Sequence, residues 1–289
     1  MKKGATMARA CILYFSQTGN TERVAYTIMG RLQAEGMESI TLQLEDTADF
    51  PEAHEDADVL GIGFPTFFGY PPPNVIRFIG GLAGNGRSAF VFTTYGGSTA
   101  GDSLYDAAAA LEKRGFRILG GLKVEAADNY PQSIRLKINE GRPNDADMAL
   151  SEGFATRIAK AYKDDRHVRP EALASSNPFF IKHRDSPRKK TVDAMRKKIE
   201  GKIVFNEEKC LLCEACKRSC PTKSIASGEM YPEFSWKCID GMRCYQCVRV
   251  CPGKALLAEP PVPDEEYEKF WKSVSDSEAE KARAYVVPE

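Results

Sequence analysis

Eight of the chain's nine cysteines fall in two runs near the C-terminus: Cys210, Cys213, Cys216 and Cys220, then Cys238, Cys244, Cys247 and Cys251. The first run reads C-x2-C-x2-C-x3-C, and both runs end in Cys-Pro. Two-residue gaps converge several soft thiolates from one tight loop, whose backbone amides also turn toward the sulfurs. The proline after the last cysteine stops the ligand loop from continuing as a helix. A segment of roughly 60 residues with few large apolar side chains depends on whatever these cysteines hold as a structural staple. Zinc sites made from paired C-x2-C usually lack the C-x3-C-P ending, and disulfides need an oxidising compartment.

The spacing resembles that of the bacterial ferredoxins, in which one run supplies three thiolates to a cluster and the fourth comes from the other run. That resemblance implies two [4Fe-4S] clusters, one on Cys210, Cys213, Cys216 and Cys251, the other on Cys238, Cys244, Cys247 and Cys220. The second run departs from the family. Five residues, Ile239 to Arg243, separate Cys238 from Cys244 where the symmetric pattern has two. The expectation is a short bulge at Gly241 that still lets Cys238 reach its iron, with an effect on reduction potential through exposure and hydrogen bonding at sulfur.

The N-terminal half carries a different signal. Ala8 to Phe15 reads as a buried strand, followed by Ser16-Gln17-Thr18-Gly19-Asn20-Thr21 and a helical stretch from Glu22 to about Glu35. Hydroxyls, an amide and loop N–H groups at a helix N-terminus form an anion site that needs no lysine, unlike the nucleotide P-loop. The form [ST]-x-T-G-N-T after a first strand resembles the phosphate loop of the flavodoxin family, over about residues 8–165, and implies FMN as the ligand.

Further strands are expected at Ser39–Leu44, Val59–Phe64, Ala89–Thr94 and Phe116–Val124, with helices at Ser103–Arg114 and Asp145–Lys163. The fold class is therefore α/β: a flavodoxin-like, five-stranded, parallel, doubly wound sheet plus a small α+β bacterial-ferredoxin domain. Ligands of such sheets bind beyond the C-terminal strand ends. Two more loops lie at that rim. Pro65, Thr66, Phe67, Phe68 and Gly69 lead to Tyr70, and the resemblance implies that Phe67, Phe68 or Tyr70 stacks on the isoalloxazine ring. Thr94, Tyr95, Gly96, Gly97, Gly101 and Asp102 form the second, where glycines allow close approach to a flat ligand.

Four segments are expected: an FMN domain at 1–165, a basic linker at 166–200, the ferredoxin domain at 201–258 and a helical tail at 259–289. The linker stretch Lys182–Lys202 holds nine Lys or Arg against three acids, a pattern of solvated helix faces. The tail has nine acids against four bases, and Tyr267, Phe270, Trp271 and Val274 recur in it at helical spacing over Asp264–Ala284. That stripe reads as a packing face strapping the ferredoxin domain to the rest. Cys11 reads as a core residue, and His54, His167 and His183 have no companion at ligand spacing.

The formal net charge is zero, which argues for neither nucleic acid nor a charged membrane as partner. No run approaches the ~20 apolar residues of a membrane span, and no secretory signal is evident, so a reducing, cytoplasmic setting is expected. The whole resembles fusions of flavodoxin with bacterial ferredoxin from anaerobic prokaryotes. Such a fusion implies single-electron relay between the clusters and FMN, in service of a redox partner protein that acts as ferredoxin-dependent donor or acceptor. Whether the chain acts as monomer or homodimer stays open. The alternative is a flavin-dependent reductase of a quinone or activated alkene with Tyr95 or Tyr130 as proton donor, against which no inserted lid is seen. Replacing one ligand should remove one cluster and most of the ferredoxin fold with it. Cys213→Ala is expected to lower bound iron from about eight to about four per chain, read by iron and acid-labile sulfide assay.

Overall fold

The computed structural model describes residues 7–47, 49, 51–239 and 241–288. Five parallel strands, β1 (Arg9–Tyr14), β2 (Glu38–Gln43), β3 (Val59–Pro65), β4 (Ser88–Tyr95) and β5 (Arg117–Glu125), pair in the order β2-β1-β3-β4-β5. All eight residues of β4 are buried, because a central parallel strand is covered on both faces. Helices Asn20–Ala34 and Asp145–Lys163 cover one face, through Val24, Ile28, Leu32, Phe154 and Ile158. Helices Pro73–Gly81 and Ser103–Lys113 cover the other, through Val75, Ile79, Leu104 and Leu111. The first helix starts at Asn20, two residues earlier than its sequence pattern suggests, with Gly19 as its cap in the left-handed region (φ 84°).

In the ferredoxin-like part, β6 (Lys202–Phe205) pairs antiparallel with β9 (Leu256–Glu259), and β7 (Ile225–Ser227) with β8 (Pro232–Phe234). Short helices Ala215–Arg218 and Gln246–Arg249 each contain the third cysteine of a run. Its own apolar core is small, centred on Cys216, Ile225 and Leu256.

The main sheet has a sixth strand that the five-stranded reading does not contain. Strand β10 (Tyr285–Val286) returns from the tail and pairs antiparallel with the edge of β5. The single tail helix expected over Asp264–Ala284 is instead two, Asp264–Ser273 and Glu278–Ala282. The break has a local cause: the Ser277 hydroxyl accepts from Glu280 N and caps a new helix, and Asp276 N leaves to donate to Ser98 O at 2.7 Å. Behind the break, Lys123, only 6% exposed, donates to Glu280 Oε1 at 2.7 Å and lies 3.8 Å from Asp276. The tail is thereby latched to the flavodoxin-like sheet itself.

The basic linker is not a freely solvated face. Its helices Pro178–His183 and Arg188–Ile199 lie on the sheet domain, with Phe180 fully buried. Arg184 grips the buried Asp102 carboxylate through Nε and Nη2, at 3.1 and 2.9 Å, and Arg188 grips Asp106 at 2.7 Å through both nitrogens. Planar guanidinium forks suit such paired acceptors. Arg184→Ala removes the forked partner of the buried Asp102 carboxylate, leaving it only the Arg188 guanidinium 3.8 Å away, and is expected to cost about 3 kcal/mol, read as a lower chemical-denaturation midpoint.

Candidate functional site

One cavity opens at the C-terminal ends of β1, β3 and β4, the crevice such sheets use for ligands. Ser16, Gln17, Thr18, Asn20 and Thr21 line one end of it, and Pro65, Thr66, Phe67, Phe68 and Gly69 line another wall. Thr94, Tyr95 and Gly96 complete the rim together with Ser98 and Thr99. The loop Ala126–Tyr130, after β5, also faces it.

Several of these side chains brace the walls. Thr21 and Thr94 hydroxyls share a hydrogen bond at 2.8 Å, Thr66 and Thr93 another at 2.8 Å, and Asn20 Nδ2 donates to Ala127 O at 3.2 Å. Among the described residues, nothing engages the Ser16 or Thr18 hydroxyls, which leaves both for a ligand. Gln17 Nε2 and Asn129 Oδ1 are buried with no hydrogen-bond partner. Unpaired donors and an acceptor beside a helix N-terminus suit a phosphate at one end and a polar ring edge further in, so the residues present fit FMN.

Four residues expected at this site lie off its walls. Gly19 serves as helix cap. Gly97 (φ 89°) makes room for Asn139, whose amide would lie 2.3 Å from a Cβ there. A Cβ at Gly101 would meet Gly69 O at 2.5 Å and Phe180 at 2.6 Å, and Asp102 holds Arg184. Both therefore serve the linker's docking. Tyr70 is also turned away, edge-on to Phe180 at 5.6 Å with the Arg188 guanidinium over its ring at 4.9 Å. Of the three aromatic candidates, Phe67 and Phe68 remain at the cavity, with Phe68 (φ 54°) edge-on to Tyr130.

The eight cysteines meet as two quartets. Cys210, Cys213, Cys216 and Cys251 surround one small cavity, and Cys220, Cys238, Cys244 and Cys247 surround another. Residues in the left-handed region, Leu212, Glu214 and Tyr245, wrap each loop round its cavity. Ala255 N donates to Cys251 Sγ at 3.2 Å and Ser224 N to Cys220 Sγ at 3.3 Å. Among the described residues no three ligand-type side chains converge on a single metal ion, whereas in a cubane each sulfur is carried by a different iron. Burial pushes the Cys244 thiol up to about 11 and the Cys247 thiol up to about 12. Iron binding must therefore displace their protons.

The insertion before Cys244 turns at Gly241 (φ 85°), with Asp240 outside the described residues. Its Ile239 and Met242 are buried in the same apolar cluster as the sheet's helices. An apparent irregularity of ligand spacing is thus a foot that stands on the other domain. Around it, Arg243 pairs with Glu200 at 3.1 Å, Arg196 with the same carboxylate at 2.7 Å, and Tyr245 packs edge-on to Tyr130 at 5.0 Å.

That docking brings Cys244 to the wall of the large cavity as well as to its quartet. Asn129 Nδ2 donates to Cys244 O at 2.5 Å, and Gln17 Nε2 faces the Cys244 sulfur without reaching hydrogen-bond geometry. From the linker, Met195 also lines the cavity. So do Phe270, Trp271 and Val274, which corrects the reading of that stripe as packing alone. Tyr267 packs deepest: it is 2% exposed, its hydroxyl 2.6 Å from that of Ser133. Periodicity marks an apolar face but not what the face covers. Tyr95 donates to Glu125 at 3.3 Å, and burial raises both the Tyr95 and Tyr130 phenols, making each a weaker acid than a free tyrosine. Ser16→Ala with Thr18→Ala should weaken FMN binding about 10- to 100-fold in a titration of the flavin-free protein; an unchanged Kd would remove this loop from the site.

Comparison with known proteins follows the same division. A family model for the 4Fe-4S dicluster domain matches residues 202–252. An uncharacterized protein of Methanocaldococcus jannaschii is 28% identical over 158 residues, 53% of this chain and 99% of its own length. The ferredoxin YfhL of Escherichia coli is 31% identical over 68 residues, 22% of this chain and 79% of its own length. A solved archaeal flavodoxin superposes with a TM-score of 0.43 at 17% identity, covering 54% of this chain and 99% of that one. The family model for flavodoxin matches residues 12–165, just over half of the whole, and the chain therefore belongs to the flavodoxin family, with a 4Fe-4S dicluster domain behind its flavodoxin domain.

Proposed function

We propose that this flavin and iron–sulfur electron-transfer protein relays single electrons within one chain, between an external redox partner and FMN, through two [4Fe-4S] clusters. A flavin supplies both one- and two-electron chemistry, and clusters supply single electrons. One observation carries the reading: Cys244 belongs to the inner quartet and to the wall of the FMN cavity, so a single side chain separates the two cofactor sites. Asn129, anchored on the Cys244 carbonyl, ties the flavin-side loop to the cluster loop at that point.

The outer quartet, Cys210, Cys213, Cys216 and Cys251, lies beyond the inner one and near solvent. Cys213 is exposed, and its neighbours Leu211 and Leu212 are 65% and 56% exposed. Exposed apolar side chains beside a ligand loop suit a transient protein contact. In this reading the partner meets the outer cluster, and the inner cluster with Cys244 connects it to the flavin. The raised Tyr95 and Tyr130 phenols lend no support to a mechanism in which either donates a proton.

The experiment is anaerobic rapid mixing of the loaded protein with a one-electron reductant at several protein concentrations. Cluster absorbance should bleach first and flavin absorbance follow, at a rate independent of protein concentration. Reduced clusters beside a flavin that stays oxidised would end the relay reading, and a second phase proportional to concentration would place transfer between molecules.

A further inference from the structure

A flavin used to meet protein partners directly needs an open ring edge, and part of this cavity's wall comes from the C-terminal tail. Phe270 and Trp271, on the C-terminal helix Asp264–Ser273, line it together with Val274 just beyond the helix end. This segment is pinned at both ends. At its start, Asp264 accepts from Gln132 Nε2 at 3.1 Å and pairs with Arg135. Past its end, Asn177 Nδ2 donates to Val274 O and to Asp276 Oδ1, each at 3.1 Å, and Asp276 N reaches Ser98 O beside the cavity rim. Lys123 then holds Glu280 in the protein interior. Segments before and after the ferredoxin part thus converge on one side of the cavity.

We propose that this C-terminal segment is a fixed roof over the flavin cavity, so that what meets the flavin there is a small, flat, conjugated molecule and not a protein surface. The inference rests on the reading that the cavity holds FMN. A cavity wall that joins Phe270, Trp271 and Met195 to the polar loops suits a planar and largely apolar acceptor of the quinone class. Protein partners are left the outer cluster. Reduction of a quinone to its hydroquinone takes two electrons and two protons. The electrons arrive singly through the clusters from a low-potential one-electron donor protein, and the protons come from water at the cavity mouth.

The test uses the full chain with clusters intact, with and without FMN, under anaerobic conditions. 2-Methyl-1,4-naphthoquinone serves as the small acceptor and cytochrome c as the protein one. Removal of FMN should abolish quinone reduction and leave cytochrome c reduction in place. Phe270→Ala with Trp271→Ala should release FMN about tenfold faster and make part of cytochrome c reduction depend on FMN. Asn177→Ala with Asp276→Ala frees the latch while keeping the aromatic wall, and should accelerate FMN release likewise; iron content and circular dichroism check folding in each variant. Cytochrome c reduction that falls with FMN removal in the wild type, or FMN release unchanged in both variants, would overturn the roof. FMN release does not involve electron transfer, so it still decides the matter if the relay fails. A wild-type chain that binds no FMN would overturn the cavity reading and the roof with it.

Discussion

The contact at Cys244 depends on keeping two independently recognisable domains in one fixed arrangement. The clusters' protein shell has a three-residue core of its own and could not choose that arrangement by apolar burial alone. Ion pairs and a borrowed core do the choosing. Arg184 and Arg188 clamp the linker to Asp102 and Asp106, Lys123 clamps the tail to Glu280, and Ile239 with Met242 enter the sheet domain's apolar cluster. Each clamp pairs a mostly buried carboxylate with a cation, an arrangement that tolerates loss of either partner poorly and so specifies one docking geometry.

Glycine usage follows the same logic. Gly69 and Gly101 lie where the fully buried Phe180 of the linker presses on the rim, and a Cβ at either would sit within 2.6 Å of that ring. The rim loops therefore serve two purposes, a cavity wall on one side and a linker bed on the other. Arg196 and Arg243 converge on Glu200, which joins the end of the linker helix to the inner cysteine loop. A linker of this kind transmits position and is not a flexible tether.

Much of the fold was legible because its signals are local. Buried strand runs, the polar turn at Ser16–Thr21 and the cysteine spacings each depend on residues a few positions apart, and the helix Asp145–Lys163 lies where its pattern put it, behind an Asn144 capping box. Gly101 and Asp102, expected beside a ligand, lie instead against the linker, and the reason is physical. A buried carboxylate after a glycine-rich turn is equally apt for an arginine, and that arginine lies 82 residues downstream. The bulge at Gly241 formed as its spacing implied, with Cys238 still in its quartet; but helical spacing in the tail announces only an apolar face, and extra residues announce only a bulge, and neither names the surface covered.

By itself, the sequence determined the chemistry of this protein: two thiolate quartets, an anion-binding turn on a parallel sheet, and hence which cofactor classes the chain is suited to hold. Those properties reside in short segments whose geometry the backbone and side-chain types impose locally. Only the tertiary structure decided that Cys244 faces both sites, that the basic linker is a clasp, and that Trp271 lines the cavity. These are pairings between residues tens to hundreds of positions apart, selected by complementary charge and buried area that no local pattern encodes.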